Sequence, residues 1–300
     1  MKLLLKKLYY LLPLKRQCYT LVKKVVSPPH RIYKHLHFNG TITIAIDKFH
    51  SFKMKHYGFQ LENEIFWKGL TGGWEKESIK LWIKLCSLGN PTVFDVGANT
   101  GIYSLIAKSI NHDSRVIALE PVHRVFQKLK INMAINQFNT ECFELAASHY
   151  TGEAVIYDTG GEHIYSVTVN KNLNAANDLL QVPIATITLD KLITDLNLNK
   201  VDLIKIDVET HEAEVLEGMK KYLPIFKPTI LIEILNEEIA TRVESIVKDN
   251  DYLYFNIDEA KGVFRTDSIG RSSSYNYLLC SATTADQIGL DKTLARKSFI

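Results

Sequence analysis

From residue 91 onward the chain alternates short, continuous apolar runs with longer stretches whose apolar positions recur every three or four residues. The first pattern predicts strands buried on both faces, and the second predicts amphipathic helices. Strands are expected over 92–96, 116–120, 142–146, 184–189, 201–207, 229–234, 253–257 and 275–280, with helices over 102–110, 122–136, 213–222 and 239–248. Such alternation implies a doubly wound, mostly parallel α/β sheet with helices on both faces. The rhythm breaks over 151–189, where the runs 154–157 and 164–169 flank Gly160-Gly161 and predict a β-hairpin insertion.

Before residue 91 the pattern is different. Ser27-Pro28-Pro29 breaks the chain, residues 41–46 alternate like a half-buried strand, and 61–88 read as helical around a break at Thr71-Gly72-Gly73. The expected organisation is therefore a basic N-terminal extension (1–58), a main domain (59–285) whose 151–189 insertion lies on the acceptor side, and a tail (286–300). The 300 residues are 46% hydrophobic and 23% charged, which is ordinary globular composition. No apolar run is long enough for a membrane-spanning helix, and the four widely spaced cysteines lack zinc or disulfide-framework spacing. A cytoplasmic location is expected.

Charge is unevenly placed. Nine Lys or Arg residues precede the first acid, Asp47, so the net +3 of the chain leaves the remainder at −6. An acidic body offers no footprint for nucleic acid. The basic start alternates with Leu, Tyr and Val, so residues 1–26 are a candidate for peripheral contact with the cytoplasmic face of a membrane.

Candidate chemistry centres on residues 93–104, Val-Phe-Asp-Val-Gly-Ala-Asn-Thr-Gly-Ile-Tyr-Ser. Here a buried strand runs into a turn bracketed by Gly97 and Gly101, where a ligand can approach the backbone closely. Asn99 replaces the second glycine of a dinucleotide fingerprint, and Ile102 replaces the lysine of a P-loop. Both phosphate readings are therefore disfavoured, the first being that of an NAD-dependent oxidoreductase. The pattern suits a ligand with an amino-acid portion and a nucleoside, Asp95 accepting from its ammonium group. Glu120, at the end of the next strand, is placed to accept ribose hydroxyls.

Residues 93–104, Glu120-Pro121, Leu189-Asp190, 203–217 and 230–233 together resemble the FkbM family of S-adenosylmethionine-dependent methyltransferases over roughly residues 60–280. The resemblance implies a seven-stranded, Rossmann-like methyltransferase sheet whose last strand is antiparallel. It also implies O-methylation of a hydroxyl on a sugar, as in a surface or lipid-linked glycan, or on a natural product. The family usually has glycine where this chain has Thr210, so a different turn is expected there. The expected cofactor set is Glu75, Asp95, Gly97, Ala98, Asn99, Gly101, Ser104, Glu120 and Ala146.

Methyl transfer to a hydroxyl requires alignment of the acceptor, exclusion of water and removal of a proton. Lys205, Asp207, Glu209, His211 and Glu212 form a dense polar group at a second strand end. His211 is the first choice of general base because imidazole titrates near neutrality. Asp207 is an alternative base or an orienting group. Asp207, Glu209 and Glu233 also offer a possible site for a divalent metal. The three tryptophans, Trp67, Trp74 and Trp82, are candidates to shape the acceptor pocket. Competing functions are a non-catalytic binding module of the same fold, or methylation of another small molecule or of RNA.

Overall fold

The computed structural model describes residues 14–158 and 180–290. Among them the chain divides into two compact units, one ending at Lys76 and the other starting at Glu77. The smaller unit holds α1 (Lys15–Val25), α2 (His30–Tyr33), a hairpin of β1 (Gly40–Ala45) and β2 (Ser51–His56), and α3 (Gln60–Lys68). Ile42 and Ile44 alternate inward on β1, as do Phe52, Met54 and His56 on β2. The hairpin closes on Asp47, whose Oδ1 accepts the amides of Phe49 and His50. Helix α3 belongs to this core. Its Phe66 meets Phe38 edge-on at 4.8 Å, and the neighbouring Trp67 is buried.

The larger unit begins with α4 (Lys76–Cys86), β3 (Thr92–Val96), α5 (Ile102–Ile110), β4 (Arg115–Leu119), α6 (His123–Asn136) and β5 (Thr140–Phe143). There follow β6 (Ala146–Ala147), β7 (Gly152–Asp158), β8 (Leu180–Ile187), α7 (Leu189–Asp195), β9 (Leu203–Ile206), α8 (Glu212–Glu217) and α9 (Leu223–Phe226). The chain continues through β10 (Thr229–Glu233), α10 (Glu237–Val247), β11 (Leu253–Asp258), β12 (Gly262–Thr266), β13 (Asn276–Cys280) and α11 (Ala282–Gln287).

The main sheet has the order β12-β11-β13-β10-β9-β3-β4-β5. Strands β5, β4, β3, β9 and β10 pair in parallel, and β13 runs antiparallel between β10 and β11. The chain leaves β3 towards β4 on one side and returns to β9 on the other. This reversal opens a crevice at the carboxyl ends of β3 and β9, where ligands of doubly wound sheets bind. Seven of the strands form the expected arrangement with an antiparallel last strand. The eighth, β12, extends the edge because Asp258 Oδ1 accepts the amides of Ala260 and Lys261 and turns the chain back on β11. Its positions are only partly buried, so it carries little apolar signature.

The described part of the insertion is held by two strand pairings. Strand β7 pairs antiparallel with β8, from Gly152 opposite Thr186 to Asp158 opposite Leu180, and β6 pairs in parallel with β8's other edge. The expected second arm at 164–169 lies outside the described residues. Strand β8 begins earlier than the expected 184, since Gln181, Val182 and Pro183 complete the pairing register with β7.

The Leu189-Asp190 pair has a structural explanation. Leu189 is fully buried in the main core, while Asp190 receives the amides of Lys221 and Tyr222 on its two carboxylate oxygens at 2.9 and 3.1 Å. Its own amide donates to the Gly218 carbonyl, so one residue ties α7 to the turn after α8. Asp190→Ala is expected to lower stability by about 1–2 kcal/mol, the scale of losing a carboxylate cap. Urea unfolding of the two proteins checks this, and an unchanged midpoint with an unchanged slope contradicts it.

Candidate active site

The site is built on two strand ends. Strand β3 is wholly buried and leads into the turn 97–101, whose Gly97, Asn99 and Gly101 all have positive φ (76°, 52° and 90°). Gly97 and Ala98 donate their amides to the Leu119 carbonyl at 3.0 and 2.9 Å, which ties the turn to the end of β4. A side chain at Gly97 would collide with the carbonyl of Asp207, so the turns after β3 and β9 lie backbone against backbone. Asn132, buried on α6, donates its Nδ2 to the Thr100 carbonyl at 2.8 Å and supports the same turn.

Two acids flank this turn. Asp95 Oδ2 accepts both the amide and the hydroxyl of Ser104 at 3.0 and 2.6 Å, fixing the first turn of α5. Burial pushes its carboxyl up to about 6, against the pull of those hydrogen bonds and of Lys205. Glu120 Oε2 accepts the Asn99 amide at 3.0 Å and Oε1 accepts the Val122 amide at 2.9 Å. Burial again dominates and pushes Glu120 up to about 7. A carboxylate has about four acceptor positions, so each oxygen of Glu120 keeps capacity for a further donor. The Asn99 Oδ1 and Thr100 Oγ1 atoms of the turn are buried without a hydrogen-bond partner.

On the adjacent strand Lys205 lies opposite Asp95 in the register of β9 with β3. Its side chain is 1% exposed, with Nζ 3.5 Å from Asp207 Oδ2 and 5.2 Å from the centre of the Tyr103 ring. Asp207, at the carboxyl end of β9, is 30% exposed. The following turn places Glu209 and Thr210 at φ 53° and 80°, and Glu212 folds back to accept the amides of Val208 and Thr210 at Oε1. Glu212 is fully buried, its Oε2 lacks a partner, and its carboxyl is pushed up to about 7, chiefly by burial. His211 Nε2 lies 3.0 Å from Ser148 Oγ, and Nδ1 lies 3.6 Å from Glu214, which Arg242 also holds at 2.7 Å. Desolvation is the main cause that lowers the His211 pKa, against the pull of Glu214.

The structure thus brings Asp95, Gly97, Ala98, Asn99, Gly101, Ser104 and Glu120 to one turn, with Lys205 and Asp207 beside it. The remaining expected residues lie on other elements. Ala146 starts β6, opposite Thr186 of β8, and Glu75 belongs to the smaller unit. Glu233 ends β10 opposite Asn276, and among the described residues no three acids, histidines or cysteines are grouped to hold a metal ion. The proposed Asp207–Glu209–Glu233 metal set is therefore not assembled. Trp67 and Trp82 are also corrected from pocket to core, since their indoles are almost wholly buried. Trp82 spends its N–H on the Tyr103 carbonyl at 3.0 Å. Sequence reasoning missed Asn132 and Ser148, whose partners lie 32 and 63 residues away and leave no local motif.

Comparison with known proteins decides the family. The sequence profile described as the Methyltransferase FkbM domain matches residues 95–254, just over half of the chain and spanning both strand ends. The chain belongs to this family. Among the relatives of this FkbM methyltransferase, Methyltransferase sdnD of Sordaria araneosa is 22% identical over 191 residues, covering 54% of the chain and 74% of sdnD. AMB antimetabolite synthetase AmbE of Pseudomonas aeruginosa is 29% identical over 159 residues, which are 42% of the chain and only 8% of AmbE. The crystal structure of Methyltransferase FkbM from Methylobacillus flagellatus KT is 16% identical with a TM-score of 0.40, over 63% of this chain and 43% of that one.

The Thr210 turn carries a testable cost. Glycine is free to adopt φ 80°, whereas a β-branched residue there is strained by about 1–3 kcal/mol. Thr210→Gly gives back part of this gain through the greater freedom of its unfolded chain, so a net stabilisation of about 1 kcal/mol is expected. Thermal or urea unfolding reads it directly. A destabilised Thr210→Gly protein means that the threonine side chain contributes more than its backbone costs.

Proposed function

We propose that this FkbM methyltransferase uses S-adenosylmethionine to methylate a hydroxyl, with a sugar of a glycan as the acceptor class. The observation that carries the reading is the turn 97–101. It combines two glycines that leave no room for a side chain against their packed neighbours, two buried polar atoms without partners, and a buried carboxylate at either side. These residues fit the cofactor. Glu120 would hold the ribose hydroxyls, Asn99 Oδ1 and Thr100 Oγ1 would meet its other polar groups, and Asp95 would fix the backbone beneath it through Ser104. When bound, the cofactor supplies an already activated methyl group.

The chain's own part is to position the acceptor and take its proton. A neutral hydroxyl is a far weaker nucleophile than a neutral amine, so a nearby base that takes its proton as the new O–C bond forms assists its attack. The geometry favours Asp207 for this role over His211. A proton on His211 Nδ1, facing Glu214, leaves Nε2 as the only basic atom of the ring, and Ser148 Oγ occupies it. Asp207 is the more open carboxylate at the strand end, and Lys205 steadies it from the buried side. His211 then acts as a positioning residue for the turn 207–212. The sugar acceptor rests on the family resemblance, and the hydroxyl chemistry on the carboxylate at β9.

Two measurements test this reading. Removing the base should cost roughly 10²–10⁴-fold in turnover. In transfer of labelled methyl to a panel of glycans, Asp207→Asn is therefore expected to lose activity on that scale while His211→Gln loses far less. The reverse order returns the base to His211, and absence of transfer to any glycan overturns the acceptor class. The second measurement is calorimetry of S-adenosylmethionine binding across pH. Ionised Glu120 accepts ribose donors at both oxygens, whereas the protonated form does not. Affinity should therefore strengthen as pH rises through about 7 and level off above it, by up to roughly tenfold per unit. Glu120→Gln should flatten this profile. A wild-type affinity that ignores pH there excludes Glu120 as the ribose ligand.

A further inference from the structure

Helix α1 is amphipathic in the inverted sense. Its polar and aromatic side faces the smaller unit's core: Arg16 Nη1 donates to the Thr41 carbonyl at 3.0 Å, and Lys23 Nζ lies 5.1 Å from the centre of the Phe66 ring. Between them Tyr19 packs against Phe38 and Trp67, with ring centres 6.0 and 5.6 Å apart. The apolar side faces outward. Leu14, just before the helix, then Cys18, Leu21 and Val25 recur at steps of four, three and four residues, which places them along one stripe. Leu21 is 64% exposed and Val25 85%, with Val22 and Val26 exposed beside them, and no residue of the helix is buried. A helix held by its polar side while its apolar stripe faces water is costly unless something covers that stripe.

We infer that α1 docks on the anionic surface of a lipid bilayer, its stripe entering the acyl boundary and the flanking Lys15 and Lys24 meeting the headgroups. Charge complementarity selects this occupant. Arg16 and Lys23 are engaged on the inner side, whereas Lys15 and Lys24 flank the stripe on either side; the helix carries no acid, and the first acid of the whole chain is Asp47. Two copies joined through this stripe would bring two such basic sets together, which repel. An anionic headgroup layer attracts them instead, and apolar burial and basic charge then act together. No helix among the described residues is long and apolar enough to cross a membrane, so the contact lies along the surface.

Co-sedimentation of the full-length protein with phosphatidylcholine vesicles, with and without phosphatidylserine, tests the inference. Binding is expected only to the anionic vesicles and is expected to be lost as salt is raised. The double substitution Leu21→Ser with Val25→Ser should weaken it at least roughly tenfold, and Lys24→Glu should weaken it as well. Ile225→Ser, at a comparably exposed apolar position in the larger unit, should leave it unchanged. Both stripe positions are solvent-exposed, so unfolding curves should match the parent. Equal binding to neutral vesicles overturns the proposal, as does undiminished binding of the Leu21/Val25 variant. A concentration-dependent dimer that this variant abolishes, without vesicle binding, assigns the stripe to a second copy instead.

Discussion

The site depends on a buried charge that the sheet must neutralise. Lys205 lies in the middle of β9 at 1% exposure, where an unpaired ammonium would be very costly. The parallel register puts it opposite Asp95, and the strand end puts Asp207 within 3.5 Å. Tyr103, one residue before the Ser104 that Asp95 holds, offers its ring face to the same ammonium. Strand pairing, the start of α5 and the position of Asp207 are thereby joined through one side chain. The turn after β3 and the turn after β9 cannot shift independently, since Gly97 already meets the Asp207 backbone.

Around that pair the carboxyls serve two purposes. Asp95, Glu120 and Glu212 each receive amides of their own or a neighbouring turn, and each is raised in pKa by burial. They shape backbone first, and Glu120 retains acceptor capacity for a ligand. The left-handed conformations of Asn99, Glu209 and Thr210 point the same way, because strain of this kind persists only where surrounding contacts hold it.

The smaller unit obeys a different logic. Its aromatic cluster of Tyr19, Phe38, Phe66 and Trp67 is satisfied from within, and α1 contributes to it through a tyrosine and the stem of a lysine. The leucines and valines of the helix are thereby left to face outward. Composition alone would place those residues inside and the lysines outside.

Much of the larger unit was legible in the order of residues. Apolar runs of five or so, each followed by an amphipathic stretch, allow little besides a parallel sheet, and 92–96 and 102–110 were bounded correctly from pattern and glycine placement alone. The glycine turn with an acid on each side could be read because close backbone approach and hydrogen-bond acceptance are local requirements. Tertiary structure decided what pairing over distance decides. The partner of β7 is a strand at the far end of the insertion, the edge strand β12 exists because β11 offers it a ladder, and two tryptophans are core because neighbouring helices cover them. The same holds for His211, whose Nε2 lies 3.0 Å from the hydroxyl of a serine 63 residues away, and for α1, whose apolar side is outward because its aromatic and basic side found a better partner. Periodicity specifies that a helix has two faces, but only the packed neighbours determine which one is turned to water.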